Sequence, residues 1–221
     1  MAHVFVDNSN VFHGAQRAAA QYEPSAPWPA VRVHYRTLFS LIEDGHTPRS
    51  RVLAGSVPPG NDDLWKHART AGYDTNLLKK IEKDDGKVGE QGVDELLHLK
   101  IANVLLDHEP PQSLILVTGD AKVSDYGTSF LAQAERALRR GWDVHVWSWK
   151  KQLSPKFSKL TRPGKPVTIH YFDQKYFDLV YLERGSFTVA GKVVVSSGRV
   201  NGVRVSPANT VLQRPGLTPR R

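Results

Sequence analysis

Val4-Phe5-Val6-Asp7-Asn8-Ser9-Asn10-Val11-Phe12 is the stretch from which the fold can be read. From His3 to Val6 the run has no polar–apolar alternation, which suits a strand buried on both faces of a parallel sheet. It ends on Asp7, and Asp, Asn and Ser are all residue types preferred at the N-cap of a following helix. A strand that hands over to a helix at a carboxylate opens a βαβ unit. Three further runs share this texture: Arg51–Val57, Ser113–Val117 and Asp143–Trp147. Helical spacing lies between them. Val31 to Glu43 places Leu38, Leu41 and Ile42 on one face before Gly45. Val93 to Asp107 carries Val93, Leu97, Ile101 and Leu105 at helical intervals. Phe130, Leu131, Ala134 and Leu138 do the same before Gly141, a helix stop. This alternation predicts an α/β domain: a Rossmann-like parallel sheet flanked by helices on both faces, joined by right-handed crossovers.

The remaining segments read differently. Tyr22 to Pro29 is a proline-rich loop, and Glu82 to Gly92 a polar loop spaced by glycines. Asp173 to Glu183 reads as a closing helix with Tyr176, Phe177, Val180 and Tyr181 inward. Lys192–Val195 and Val203–Val205 flank Asn201-Gly202, a type I′ hairpin signal. Arg214–Arg221 reads as a disordered tail. The expected division is a domain over residues 1–182 and a basic hairpin and tail over 183–221.

The 221 residues carry a net charge of +8 and no cysteine. Without Cys there are no disulfides, no thiolate zinc sites and no cysteine nucleophile. No apolar run approaches the roughly 18–20 residues a membrane span needs. The N-terminus lacks the layout of a secretory signal, so an intracellular protein is expected. Positive charge gathers late: Lys150, Lys151, Lys156, Lys159, Arg162 and Lys165 follow one another with no acid between them. Such a track suits a polyanionic partner. Trp147, Trp149 and Phe157 are interleaved with it, as base-stacking groups or as core.

Acidic residues gather at the front. Asp7 and Asp120 each follow an apolar run, and ligands of open α/β sheets bind at the carboxyl ends of strands, where strand order reverses. Asp94 falls in the first turn of the helix from Val93, with His98 one turn on, and Asp125 offers a fourth carboxylate. Each also has a plain reading, as an N-cap, a turn residue or a complement to a helix dipole. Close carboxylates repel unless a cation or a shared proton lies between them. Oxygen-only ligands select hard cations such as Mg²⁺, Mn²⁺ or Ca²⁺.

VFVDNSNVF (4–12), GVDELLHLKIA (92–102) and LILVTGD (114–120) resemble, in order, the three motifs of NYN domains within the PIN-like ribonuclease superfamily. The spacing of DYGTSFLAQAERALRRGWDV (125–144) is similar to that of fungal-type members. The resemblance implies a Rossmann-like fold and a Mg²⁺- or Mn²⁺-dependent ribonuclease, expected to cut single-stranded RNA endonucleolytically. Under it Asp7, Asp94 and Asp120 are the catalytic carboxylates and metal ligands, with Asp125 as a further ligand. Asn8, Asn10 and Thr118 position water or substrate, and Lys150, Lys151 and Lys156 bind the strand. The chain departs from the pattern where Ala121-Lys122-Val123-Ser124 separate Asp120 from Asp125. A catalytically silent, RNA-binding NYN fold is the alternative. An adhesion-type metal site wants a hydroxyl where Val11 stands, and an aspartate phosphatase wants an acid where Ser9 stands. Neither G-x-G-x-x-G after the first strand nor a G-x-x-x-x-G-K-[ST] loop is present.

Overall fold

The computed structural model describes residues 1–56, 62–78, 81–82, 88–89, 92–124, 127–162 and 165–202. Its first strand, β1 (Ala2–Asp7), is buried at every position and runs directly into α1 (Asn8–Tyr22). Then come β2 (Val31–Val33), α2 (Tyr35–Ile42), β3 (Pro48–Ser56), α3 (Asp62–Thr70) and β4 (Asp74–Leu78). A small pair, β5 (Ile81–Glu82) and β6 (Val88–Gly89), precedes α4 (Val93–Asp107). The next elements are β7 (Ser113–Val117), α5 (Phe130–Arg139) and β8 (Asp143–Ser148). Another short pair, β9 (Thr161–Arg162) and β10 (Lys165–Pro166), leads to β11 (Thr168–Tyr171). The chain continues through α6 (Tyr176–Leu179), β12 (Val180–Leu182), β13 (Gly185–Val189) and β14 (Lys192–Ser196).

Six strands form one parallel sheet in the order β11-β8-β7-β1-β3-β4. The central strands feed two cores by their period of two. Val4 and Val6 meet α1, α2 and α6 on one face, while Phe5 meets Leu97, Ile101 and Phe130 of α4 and α5 on the other. The chain fills positions to one side of β1 with β3 and β4, then crosses to fill the other side with β7, β8 and β11. Strand order therefore reverses between β1 and β7, and a crevice opens there at the carboxyl ends. No helix among the described residues is long and apolar enough to cross a membrane.

The structure corrects several sequence expectations. Val31–Val33 is extended, pairing antiparallel with β12, and the helix begins only at Tyr35. The closing helix shrinks to Tyr176–Leu179 after a 3₁₀ turn (Phe172–Lys175), because Val180–Leu182 is taken as the partner of Val31–Val33. β14 pairs upstream with β13 across Ala190-Gly191 rather than across Asn201-Gly202. Both turn residues have positive φ (49° and 76°), which suits the twist of a tight hairpin. Val203–Val205 and Arg214–Arg221 lie outside the described residues. The segment beyond Leu182 is fastened to the domain, since Arg199 bridges to Leu182 and its guanidinium is buried on Glu23.

Candidate active site

Three elements converge on one pocket of about 580 Å³ whose wall includes Asp7, Asp94 and Asp120. Asp7 comes from the end of β1, Asp120 from the loop after the neighbouring β7, and Asp94 from the first turn of α4. The sequence expectation that strand order would bring these carboxylates to one crevice is met at that level. Among the described residues, however, no group of three carboxylates or imidazoles is arranged to hold a metal ion by itself.

Asp7 is only 5% exposed and held from two sides. Its Oδ1 accepts from the Asn10 N–H (3.0 Å), so it is also the N-cap of α1. Its Oδ2 accepts from the Thr118 hydroxyl (3.3 Å). The cap reading and the site reading are therefore both true, because a carboxylate has about four lone-pair positions. Asp120 likewise accepts from the Lys122 N–H (2.7 Å) in a tight turn while facing the pocket. Asp94 sits beyond Gly92, whose left-handed backbone (φ 83°) starts α4 and lets the helix dipole favour a carboxylate there.

The polar residues named from the sequence separate into different roles. Asn10 lines the pocket, yet its carbonyl accepts from the Gly119 N–H (3.0 Å) and ties α1 to the loop after β7. Thr118 is buried, donating to Asp7 and accepting from the Asp120 N–H (3.2 Å). Asn8 is buried, and its carbonyl accepts from the Tyr35 hydroxyl, so it braces α1 instead of facing substrate. Asp125 lies outside the described residues.

Lys156 lines the pocket, Lys151 lines an adjoining depression, and Lys150 lines neither. Trp149 and Phe157 are buried, Trp149 donating to the Val11 carbonyl (3.0 Å), so both serve as core. Trp147 is half-buried and stacked between His170 and Phe172. None of these three rings offers the free face that base stacking needs. His98 packs edge-on against Phe130, and neither ring nitrogen has a hydrogen-bond partner among the described residues. Burial lowers its pKa, partly offset by Glu95 and Asp120.

Sequence reasoning missed His13 and Arg17, which line the pocket beside Ser9 and Asn10. The signal was present in α1, whose positions 9, 10, 13 and 17 share one helical face. Lys122, Lys156, Gln152 and Ser154 also line it. The wall thus combines carboxylates, which suit a hard cation, with cationic side chains, which suit an anion.

No family model matches the chain, and no curated protein is similar to it in sequence. Among solved structures the chain is similar to a protein of unknown function from Vibrio parahaemolyticus, with a TM-score of 0.55 and 16% identity. That similarity covers 78% of this chain and 93% of the other. At this identity it shows the fold alone.

Proposed function

We propose that this pocket is the active site of a divalent-cation-dependent ribonuclease of the NYN type. The observation that carries the reading is the shared wall: Asp7, Asp94 and Asp120, delivered by β1, α4 and the loop after β7, face one crevice at the switch point. The donor set fits Mg²⁺ or Mn²⁺, since it is oxygen-only. A Mg²⁺ ion keeps several waters and is commonly held by one or two carboxylates, so the lack of a three-ligand cage among the described residues does not oppose the fit. Asp7, with Asp94 or Asp120, would hold it.

Such a cation polarises a phosphoryl oxygen and acidifies water. The chain's own residues do the rest. Thr118 and the Asn10 N–H fix the orientation of the Asp7 carboxylate, which lines the pocket. Asn10 fixes the Gly119 backbone and so the approach of Asp120. Lys122 and Lys156, in the same pocket wall, offset negative charge on the phosphate. No side-chain nucleophile is required.

The test is incubation of labelled single-stranded RNA with the purified chain in Mn²⁺, in Mg²⁺ and in EDTA, with Asp7→Asn as control. Cleavage that depends on the cation and on Asp7 is expected; intact RNA at high protein and metal concentrations overturns the reading. The alternative is a fold of the same kind that binds RNA without cutting it. That outcome would appear as RNA binding with no cleavage under any metal.

A further inference from the structure

Beyond the carboxylates, the exposed face of α1 continues away from the pocket with two unlike edges. On one edge stand Arg17, Lys151 and Lys156. Arg17 lines the pocket together with Lys156 and, with Lys151, the adjoining depression that runs on to Gln21. Arg17 and Gln152 line both, and Asp173 stands with Lys151 in the smaller one. None of these three cations makes a salt bridge among the described residues, and all three are exposed.

On the other edge stands Trp28. The residue is 56% exposed, and it is the only exposed Phe, Tyr or Trp among the described residues. A short relay links it to the pocket: His13 Nδ1 lies 3.3 Å from Gln16 Oε1, and Gln16 Nε2 donates to the Trp28 carbonyl (3.5 Å). Gln16 thus ties the Trp28 backbone to α1 within a turn of the pocket residue His13. An exposed indole on a segment tied to α1, and exposed cations on α1 and on the loop after β8, are the two features of this surface. Both features suit one occupant, a strand with regularly spaced negative charges and free aromatic faces. Ser9 to Gln21 spans about 18 Å of helix, room for a few nucleotides.

We propose that this face of α1 is the strand-binding track of the enzyme, with phosphates on Arg17, Lys151 and Lys156 and an unpaired base stacked on Trp28. The identity of the strand as RNA rests on the ribonuclease reading above. Single-strandedness comes from the track itself, because a paired base inside a duplex has no face to offer an indole. The track differs from the reading in which Trp147, Trp149 and Phe157 stack the bases; their alternative reading, core, holds for Trp149 and Phe157.

The experiment measures anisotropy of a short fluorescein-labelled oligouridylate in EDTA, so that binding is read without cleavage. Trp28→Ala should weaken binding by about tenfold, the typical loss of one stacked base, with an unchanged salt slope. A combined Arg17→Ala, Lys151→Ala, Lys156→Ala variant should lower the slope of log affinity against log salt by about 2, at about 0.7 per phosphate contact. A duplex of equal length should be indifferent to Trp28→Ala. These side chains are exposed, so the variants keep the fold, as circular dichroism would verify. No binding by the wild-type chain, or wild-type binding by both variants, overturns the track. Cleavage in Mn²⁺ is assayed separately. Cleavage with unaltered variant binding removes the track and keeps the ribonuclease, whereas weakened variant binding without any cleavage removes the ribonuclease and keeps the track.

Discussion

Arg199 reaches across 176 positions of sequence to Glu23, donating from Nε to Oε1 at 2.6 Å and from Nη2 to Oε2 at 2.8 Å. Tyr176 adds a hydroxyl donor to Oε2 (2.6 Å), and the guanidinium lies over the rings of Tyr176 and Phe177. Both side chains are under a tenth exposed. A buried pair of this kind is costly to break from one side, because the remaining charge keeps its desolvation without its partner. Arg199→Ala should therefore destabilise the fold by about 3–5 kcal/mol. Pairing Arg199→Met with Glu23→Leu should recover most of that loss. Urea denaturation of both variants decides, and Arg199→Ala as stable as the wild type refutes the account. Truncation after Leu182 would leave Glu23 in the same state, so it cannot serve as a clean test of the tail in RNA binding.

The same pair shows where the sequence was legible and where it was not. β1, β3, β7 and β8 were readable because central parallel strands are apolar on both faces, as in Leu114–Val117. The edge strands β4 and β11 were not, since Asp74-Thr75-Asn76 and Thr168-Ile169-His170 are polar-rich and look like loop. Val31–Val33 was assigned to a helix because its strand character depends on Val180–Leu182, a partner far along the chain that no local pattern reveals. The strand-end carboxylates were found because topology, readable from the βα alternation, determines where strand ends point. Arg17 and Trp28 were not singled out, since exposed residues on a helix and a loop acquire meaning only from what lies beside them.

Asp7 has two duties that substitution can separate. Asn is as good an N-cap as Asp, whereas Ala is not. Asp7→Asn should keep the hydrogen bond from Asn10 and change stability by less than about 0.5 kcal/mol, while Asp7→Ala should lose about 1 kcal/mol. Both should abolish metal-dependent cleavage. Equal stability losses from the two, or cleavage surviving in Asp7→Asn, would contradict this division of roles.

His3 makes stability depend on pH. It is fully buried, stacked on His108 (4.8 Å) with Trp142 nearby, and its Nδ1 lies 2.9 Å from the Ser50 hydroxyl. Burial first, and then the charge of His108, lower its pKa to about 4 from the ordinary 6.5. Between those values the unfolded chain binds a proton that the folded one refuses, so stability falls as pH drops from about 6.5 to about 4. His98, His145 and His170 are shifted in the same direction by burial and add to the slope. His3→Leu should remove on the order of 1–2 kcal/mol of the acid-induced loss. Denaturant midpoints measured across that window give the answer, and a slope indifferent to His3→Leu would falsify the assignment.

Gly14 sets the distance between α1 and the loop that carries Gln152 and Lys156. By helix propensity alone, Gly14→Ala in the middle of α1 should stabilise the protein by about 1 kcal/mol. Geometry reverses the sign. A Cβ at this position would stand 2.0 Å from Trp149 Cδ1 and 2.2 Å from Gln152 Oε1, far inside contact. Trp149 cannot yield easily, because its Nε1 is bonded to the Val11 carbonyl and its ring is buried against Phe172 and Tyr176. The loop must retreat instead, and overpacking of this kind costs about 1–3 kcal/mol. Gly14→Ala should therefore destabilise the fold by a net figure of up to about 2 kcal/mol. It should also weaken RNA binding, since the retreat carries Gln152 and Lys156 away from the pocket they line with Arg17. A variant at least as stable as the wild type, with undiminished RNA affinity, would show that the close approach of helix and loop is not what shapes this wall.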